Sequence, residues 1–206
     1  IYCLMNFFKK SLSSKFFIFI FGIILGSFIS ITFLNHYINI EILRSEPTQG
    51  KFKSYSLTHD NLGRTYDVFV PDSLKKNAPV FFIFHGSYGT SAGMRGATGF
   101  DFEYLAQEKG FLVVYPQGYK NFWNDCRGSA DYEANLKDVD DIGYYKKVIN
   151  LIEKDFGINK NNIISTGISN GGHMVYKLAY EIPNSTFLHA PLVANLPIKN
   201  LSLIHI

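Results

Sequence analysis

The sequence predicts an α/β fold: a mostly parallel central sheet with flanking helices and an antiparallel hairpin at its front. Three observations predict it. Short continuous apolar runs at residues 81–84 and 111–115 read as strands covered on both faces. They alternate with helical patterns at residues 100–109, 140–156 and 170–181, and strands alternating with helices imply a parallel sheet with right-handed crossovers. A β-branched run, Ile163-Ile164-Ser165-Thr166, then enters Gly167-Ile168-Ser169-Asn170-Gly171-Gly172, and a helical pattern follows at once.

The elements follow in chain order. Residues 51–58 and 64–70 alternate in polarity and flank residues 59–63, which read as a hairpin turn. Residues 81–84 are the first central strand, and the glycine-rich stretch 91–99 reads as a loop. Residues 100–109 form a helix closed by Gly110, and 111–115 form a second buried strand. Residues 117–136 are long, polar and glycine-bearing, and loops of that length in compact domains are usually functional. In the helix at 140–156, Ile142, Tyr145, Val148, Ile149 and Ile152 recur at helical spacing and Gly157 closes it. Asp138, Asp140 and Asp141 crowd its start and read as caps for free N–H groups. Residues 162–166 are the next strand. The helix at 170–181 turns Val175, Leu178, Ala179 and Ile182 to the sheet, Pro183 stops it, and 187–194 is the last strand.

Ahead of this domain the composition changes. The chain has 206 residues, and no Asp, Glu, Lys or Arg occurs from Phe16 through Ile40. Lys9, Lys10 and Lys15 precede that run. About 19 apolar residues suffice to cross a bilayer as a helix, and the basic flank stays on the cytoplasmic side. The organisation expected is a basic segment at 1–15, a transmembrane anchor or signal segment at 16–36, a linker at 37–50 and the α/β domain at 51–200. Residues 201–206, Leu-Ser-Leu-Ile-His-Ile, read as a non-native tail, so His205 attracts no role. The domain is then expected outside the cytoplasm, membrane-bound through its N-terminal helix. Net charge is only +3 with no Lys/Arg cluster, which speaks against a nucleic-acid partner. Cys3 and Cys126 form no useful bridge across that topology, and no Cys/His spacing suits a metal. No cofactor is expected.

The chemistry centres on Gly-x-Ser-x-Gly between a strand and a helix. That layout is a nucleophile elbow, which lifts a serine hydroxyl above the sheet and points helix N–H groups at the site. Ser169 is the nucleophile expected. The apolar strand at 81–84 ends in His85-Gly86-Ser87-Tyr88-Gly89, and the loop after such a strand supplies an oxyanion N–H in α/β serine hydrolases. The backbone N–H groups of Ser87 and Asn170 are therefore the expected oxyanion donors, and His85 reads as a structural brace. A serine nucleophile needs a base and an orienting acid, and on this layout both follow it. After Ser169 the sole carboxylate is Glu181, read as a solvated residue late in its helix. His173 lies on the same helix as the serine and reads as packing at the site rim, while His189 lies in a strand. No triad Asp or His is found at a plausible position, so the chain reads as C-terminally truncated.

Several ordered motifs resemble the polyhydroxybutyrate depolymerase and feruloyl-esterase-like branch of the α/β-hydrolases. They are Arg64-Thr65-Tyr66-Asp67-Val68-Phe69-Val70-Pro71, Phe84-His85-Gly86-Ser87, Val113-Val114-Tyr115-Pro116-Gln117-Gly118, Trp123-Asn124-Asp125, Val139-Asp140-Asp141-Ile142-Gly143, the elbow, and Ala190-Pro191-Leu192-Val193-Ala194-Asn195-Leu196-Pro197. The resemblance covers about residues 50–200. It implies a serine esterase acting on a small-molecule or polymeric carboxylic ester, mostly exported. It also implies that Trp123 lines a substrate pocket, with Tyr88 and Tyr119 as weaker wall residues; the other reading of Trp123 is a loop anchor packed on the core. An acyltransferase on the same fold and a non-catalytic binding module remain the alternative functions.

Overall fold

The computed structural model describes residues 22–32 and 45–196. The chain divides into two compact units, residues 1–44 and 45–206. In the first, residues 22–32 form helix α1. Among the described residues no helix is long and apolar enough to cross a membrane. Of the run at 16–36 where a spanning helix is expected, only residues 22–32 are described and they are helical; the rest of that run, like the tail at 201–206, lies outside the described residues.

The second unit is a six-stranded sheet in the order β1-β2-β4-β3-β5-β6. The strands are β1 (Lys51–His59), β2 (Leu62–Val70), β3 (Val80–Phe84), β4 (Leu112–Pro116), β5 (Ile163–Ile168) and β6 (Leu188–Leu192). β1 and β2 pair antiparallel, as do β2 and β4; β3 runs parallel to both β4 and β5, and β5 parallel to β6. The hairpin turn is tighter than the sequence suggested. Only Asp60 (φ 50°) and Asn61 (φ 59°) lie outside the strands, both in the left-handed region, as a two-residue hairpin turn with matching twist requires. Asp and Asn reach that region more readily than other side chains.

The helices of this unit are α2 (Ser91–Ala97), α3 (Asp101–Lys109), α4 (Glu133–Leu136), α5 (Asp141–Phe156) and α6 (Asn170–Glu181). α2 corrects the loop expected at 91–99. Two glycines each cost about 1 kcal/mol in a helix, but tertiary contacts outweigh them. Thr90 caps the helix by accepting from the Gly93 N–H at 2.9 Å. Arg95 is buried and donates to Glu103 of α3 at 2.6 and 3.0 Å. The long loop is likewise not structureless, since it carries the single turn of α4.

β3 shows why a central strand reads as one continuous apolar run. Phe82 and Phe84 face a cluster with Tyr145, Val148, Ile152, Met174, Val175 and Leu178 from α5 and α6. Ile83 faces the opposite layer with Phe69, Ala106, Phe111, Val113 and Tyr115. Side chains alternate across a strand, so a strand with helices on both faces carries apolar residues throughout. At the β6 edge, Leu188 and Leu192 are half exposed, and β6 pairs only with β5 among the described residues.

Only one of the three aspartates at the start of α5 acts as its cap, which corrects the sequence reading. Asp140 accepts from the Gly143 N–H at 2.8 Å and meets His59 at 2.9 Å. Asp138 accepts from Asn124 Nδ2 at 2.9 Å. Asp141 is fully buried and turned inward, where it accepts from Arg64 Nη2 at 2.6 Å and from the Asn124 N–H at 2.7 Å. The apolar pattern of α5 runs straight into this cluster, so sequence alone could not separate a cap from a buried ion pair.

Candidate active site

β5 ends at Ile168 and α6 begins at Asn170, which leaves Ser169 alone to make the turn. Its backbone sits at φ 55°, ψ −119°, a conformation that side-chain-bearing residues rarely adopt and that costs roughly 1–3 kcal/mol. Hydrogen bonds on either side hold it there. The Ser169 N–H donates to Leu192 O at 3.0 Å, and Ser169 O accepts from the His173 N–H at 2.9 Å and lies 2.8 Å from His173 Nδ1. Gly171 admits no side chain: a Cβ there would collide with Phe84 O and lie 2.5 Å from His85 O. The first turn of α6 therefore rests directly on the end of β3. The loop after β3 also reaches the serine, since a Cβ on Gly86 would lie 3.6 Å from Ser169 Cβ.

Ser169 is partly exposed, and its hydroxyl makes no hydrogen bond among the described residues. Nor do the backbone N–H groups of Ser87 and Asn170 donate to any described group. Strand end, helix start and loop thus bring together the three groups that the sequence singled out.

The loop is braced by His85, which is buried at 1% exposure. Its Nδ1 lies 2.7 Å from Gly86 O, and its Nε2 accepts from the Gly118 N–H at 3.0 Å. One nitrogen thus donates and the other accepts, which is the pattern of a neutral imidazole. Burial lowers its pKa to about 4, against the pull of the Gly86 bond. A histidine whose folded pKa lies below its unfolded value binds its proton more readily unfolded. Its contribution to stability is complete above the unfolded value, near 6.5, and is lost as pH falls toward 4. We expect the His85 ring signals in NMR to stay in the neutral form down to about pH 5, with half-protonation near 4. A titration midpoint at 6 or above would contradict this brace.

Trp123 corrects one expectation. It exposes 0% of its surface and therefore presents no face to a substrate in this structure. Its ring packs on Phe84 and His85 at centroid distances of 5.1 and 5.0 Å, and its Nε1 donates to His85 O at 2.9 Å. It is the loop anchor that a large aromatic with a polar tip can be. Tyr88, in contrast, is 80% exposed and meets Phe122 edge-on at 4.6 Å. Phe122 stacks on Tyr132 at 4.2 Å, and the Tyr132 hydroxyl lies 3.0 Å from Ser87 Oγ. Tyr88 so stays available as a wall residue beside Ser87.

The sequence reading missed the next layer. Asn170 is fully buried, and its side chain is clamped to the long loop. Its Oδ1 accepts from the Trp123 N–H at 2.8 Å, and its Nδ2 donates to Trp123 O at 3.1 Å and to Asp125 Oδ2 at 2.5 Å. Asp125 is itself fully buried, with Arg127 Nε 2.8 Å and Nη2 2.7 Å from Oδ2. The available signal was a carboxylate in a long loop next to the sole tryptophan. A cavity of 450 Å³ adjoins this segment, lined by Asn124, Cys126, Arg127, Asp131, Leu136 and Asp138 among others.

Neither of the described histidines after Ser169, nor Glu181, meets the serine hydroxyl. His173 Nε2 lies 2.9 Å from Asn195 Oδ1, so both of its nitrogens have partners other than the serine hydroxyl. His189 lies on β6 opposite Ser165, with both ring nitrogens buried and without partners, and burial lowers its pKa. Glu181 is exposed, 3.9 Å from Lys177. Among the described residues no group of three potential ligands could hold a metal ion.

A mostly parallel sheet with helices on both faces and a strand–serine–helix elbow at its parallel-strand ends defines the α/β-hydrolase fold. Solved structures agree. A feruloyl esterase module from Clostridium thermocellum superposes with a TM-score of 0.53 at 13% identity, over 70% of this chain and 54% of that one. An S-formylglutathione hydrolase from Staphylococcus aureus gives 0.53 at 16% identity, over 72% and 59%. In sequence, the bifunctional acetylxylan esterase/xylanase XynS20E of Neocallimastix patriciarum is 26% identical over 129 residues, which are 63% of this chain and 18% of that protein. The chain thus spans less than two thirds of each of these relatives. No family model matches it.

Proposed function

We propose that this chain acts as a serine esterase and hydrolyses carboxylic esters through an acyl-enzyme on Ser169. The observation that carries the proposal is the strained Ser169, partly exposed at the helix start, beside the Asn170 N–H and against the Gly86–Ser87 loop, both N–H groups without an acceptor among the described residues. Ser169 Oγ attacks the ester carbonyl carbon and gives its proton to a general base. The carbonyl oxygen becomes an oxyanion, which the two N–H groups stabilise. The C–O bond then breaks, the alcohol leaves with the proton, and water repeats the sequence on the acyl-serine to release the acid. Among the described residues neither His173 nor His189 meets the Ser169 hydroxyl, so neither is assigned as the base.

The acetylxylan esterase named in the relative and the feruloyl esterase superposition support an acetyl or feruloyl ester, and the resemblance of the ordered motifs as a set adds a polyhydroxyalkanoate ester as a further candidate. Tyr88, next to Ser87, is proposed as part of the substrate wall. The charge-free run after Lys15 supports an extracytoplasmic, membrane-tethered location. A fluorophosphonate probe on the full-length protein tests the central claim. We expect one adduct, located at Ser169 by peptide mass spectrometry. An adduct on another serine, or none, would refute it.

A further inference from the structure

Resting on the esterase reading, we propose that Asp125, with Arg127 as its counter-charge, is a positioning residue that holds the Asn170 N–H in the oxyanion site. The first turn of α6 lacks the usual support. Ser169 makes no side-chain capping bond, and Asn170 has no i−4 carbonyl within the helix to receive its N–H. What anchors Asn170 is its own side chain, which bonds to a segment 47 residues earlier. Trp123 contributes a backbone donor and a backbone acceptor. Asp125 contributes the charge-assisted bond, the strong member of the set. A hydrogen-bond donor serves an oxyanion only when it is already aimed, because reorganisation during the reaction would cost what the bond supplies.

The same segment holds the other donor. The Trp123 indole N–H donates to His85 O, two residues before Ser87. Residues 123–125 therefore tie the helix start and the β3 loop to one strap, and the gap between the two donors is set by that strap.

A buried carboxylate this close to the site carries a liability. The reaction builds negative charge on the substrate oxygen, and an uncompensated Asp125 would raise the energy of that state across a low-dielectric interior. Arg127 removes the liability by placing Nε and Nη2 within 2.8 Å of Oδ2. The pair is thus neutral toward the oxyanion while its geometry is retained. This assigns two separable tasks: Asp125 aims Asn170, and Arg127 cancels the charge.

The test uses the full-length protein with p-nitrophenyl acetate, with folding checked by circular dichroism and thermal unfolding. Fluorophosphonate labelling of the wild type comes first, since failure to label at Ser169 sinks the esterase reading itself and not this inference. Asp125→Ala is expected to lower kcat about 10–100-fold with KM within about threefold, because a misaimed donor is lost mainly in the transition state. Arg127→Ala is expected to lower kcat at least about tenfold, and adding Asp125→Asn to it to restore part of that loss, since the amide oxygen still accepts from Asn170 while its NH2 takes the place of Oδ1, which accepts from the Arg127 N–H and Asn135 Nδ2. A folded Asp125→Ala with kcat within about threefold of wild type, or with KM raised at constant kcat, would overturn the proposal. If Asp125→Ala does not fold, the Arg127 pair decides: recovery of kcat in the double variant supports the proposal, and no recovery overturns it.

Discussion

Ser169→Ala in the full-length protein is expected to remove ester hydrolysis and fluorophosphonate labelling together, with kcat lowered by roughly three to six powers of ten. The size follows from the chemistry. Without Oγ no acyl-enzyme forms, and only the oxyanion donors remain to help water attack directly. The fold should survive, because the hydroxyl makes no hydrogen bond among the described residues. Ser169→Gly sharpens the test. At φ 55°, ψ −119° glycine is far less strained than serine, so this variant is expected to be equally inactive yet more stable by up to about 1 kcal/mol. Chemical denaturation of wild type, Ser169→Ala and Ser169→Gly measures both quantities. Retained turnover in Ser169→Ala, or a clearly less stable Ser169→Gly, would contradict the strained-nucleophile account.

The largest stability effect is expected at the Arg64–Asp141 ion pair. Asp141 is 0% exposed and Arg64 3%. Burial pushes the Asp141 carboxyl up, and Arg64 and the Asn124 N–H oppose that shift. Arg64 also stacks on Tyr144 at 3.9 Å and donates to Gln117 O at 3.2 Å. The pair thus joins the hairpin, the start of the long loop and the first turn of α5. Asp141→Ala leaves a buried guanidinium without its partner and is expected to cost about 3–5 kcal/mol. Replacing both members together, as Arg64→Met with Asp141→Leu, is expected to cost clearly less than the sum of the two single changes, because no uncompensated charge remains. Urea denaturation of the two singles and the double gives the coupling. Additive losses would show that the ion pair is not what Asp141 contributes.

These two sites differ in how far they could be read without the fold. The elbow is local. Its glycines, serine and flanking periodicities lie within about ten residues, so steric rules acting along the chain suffice to identify it. The buried strands are legible for a similar reason, since side-chain alternation and two covered faces leave continuous apolar runs. Glycine closure of α3 and α5 was equally local: Gly110 and Gly157 both lie in the left-handed region, at φ 79° and 61°.

What the sequence determined by itself, then, was the α/β order of elements and the strand–Ser169–helix turn. The tertiary structure alone decided what the polar residues of the long loop and the α5 start do. Asp138, Asp140 and Asp141 look alike in sequence, yet one caps α5, one meets Asn124 and one is buried against Arg64, 77 residues away. Trp123 became an anchor and Asp125 a clamp on Asn170 only once the loop folded back over β3 and α6. Local sterics act between neighbours in the chain and leave a pattern there. Hydrogen bonds and ion pairs between distant residues leave no periodicity, and their partners are set by the packing that brings the segments together.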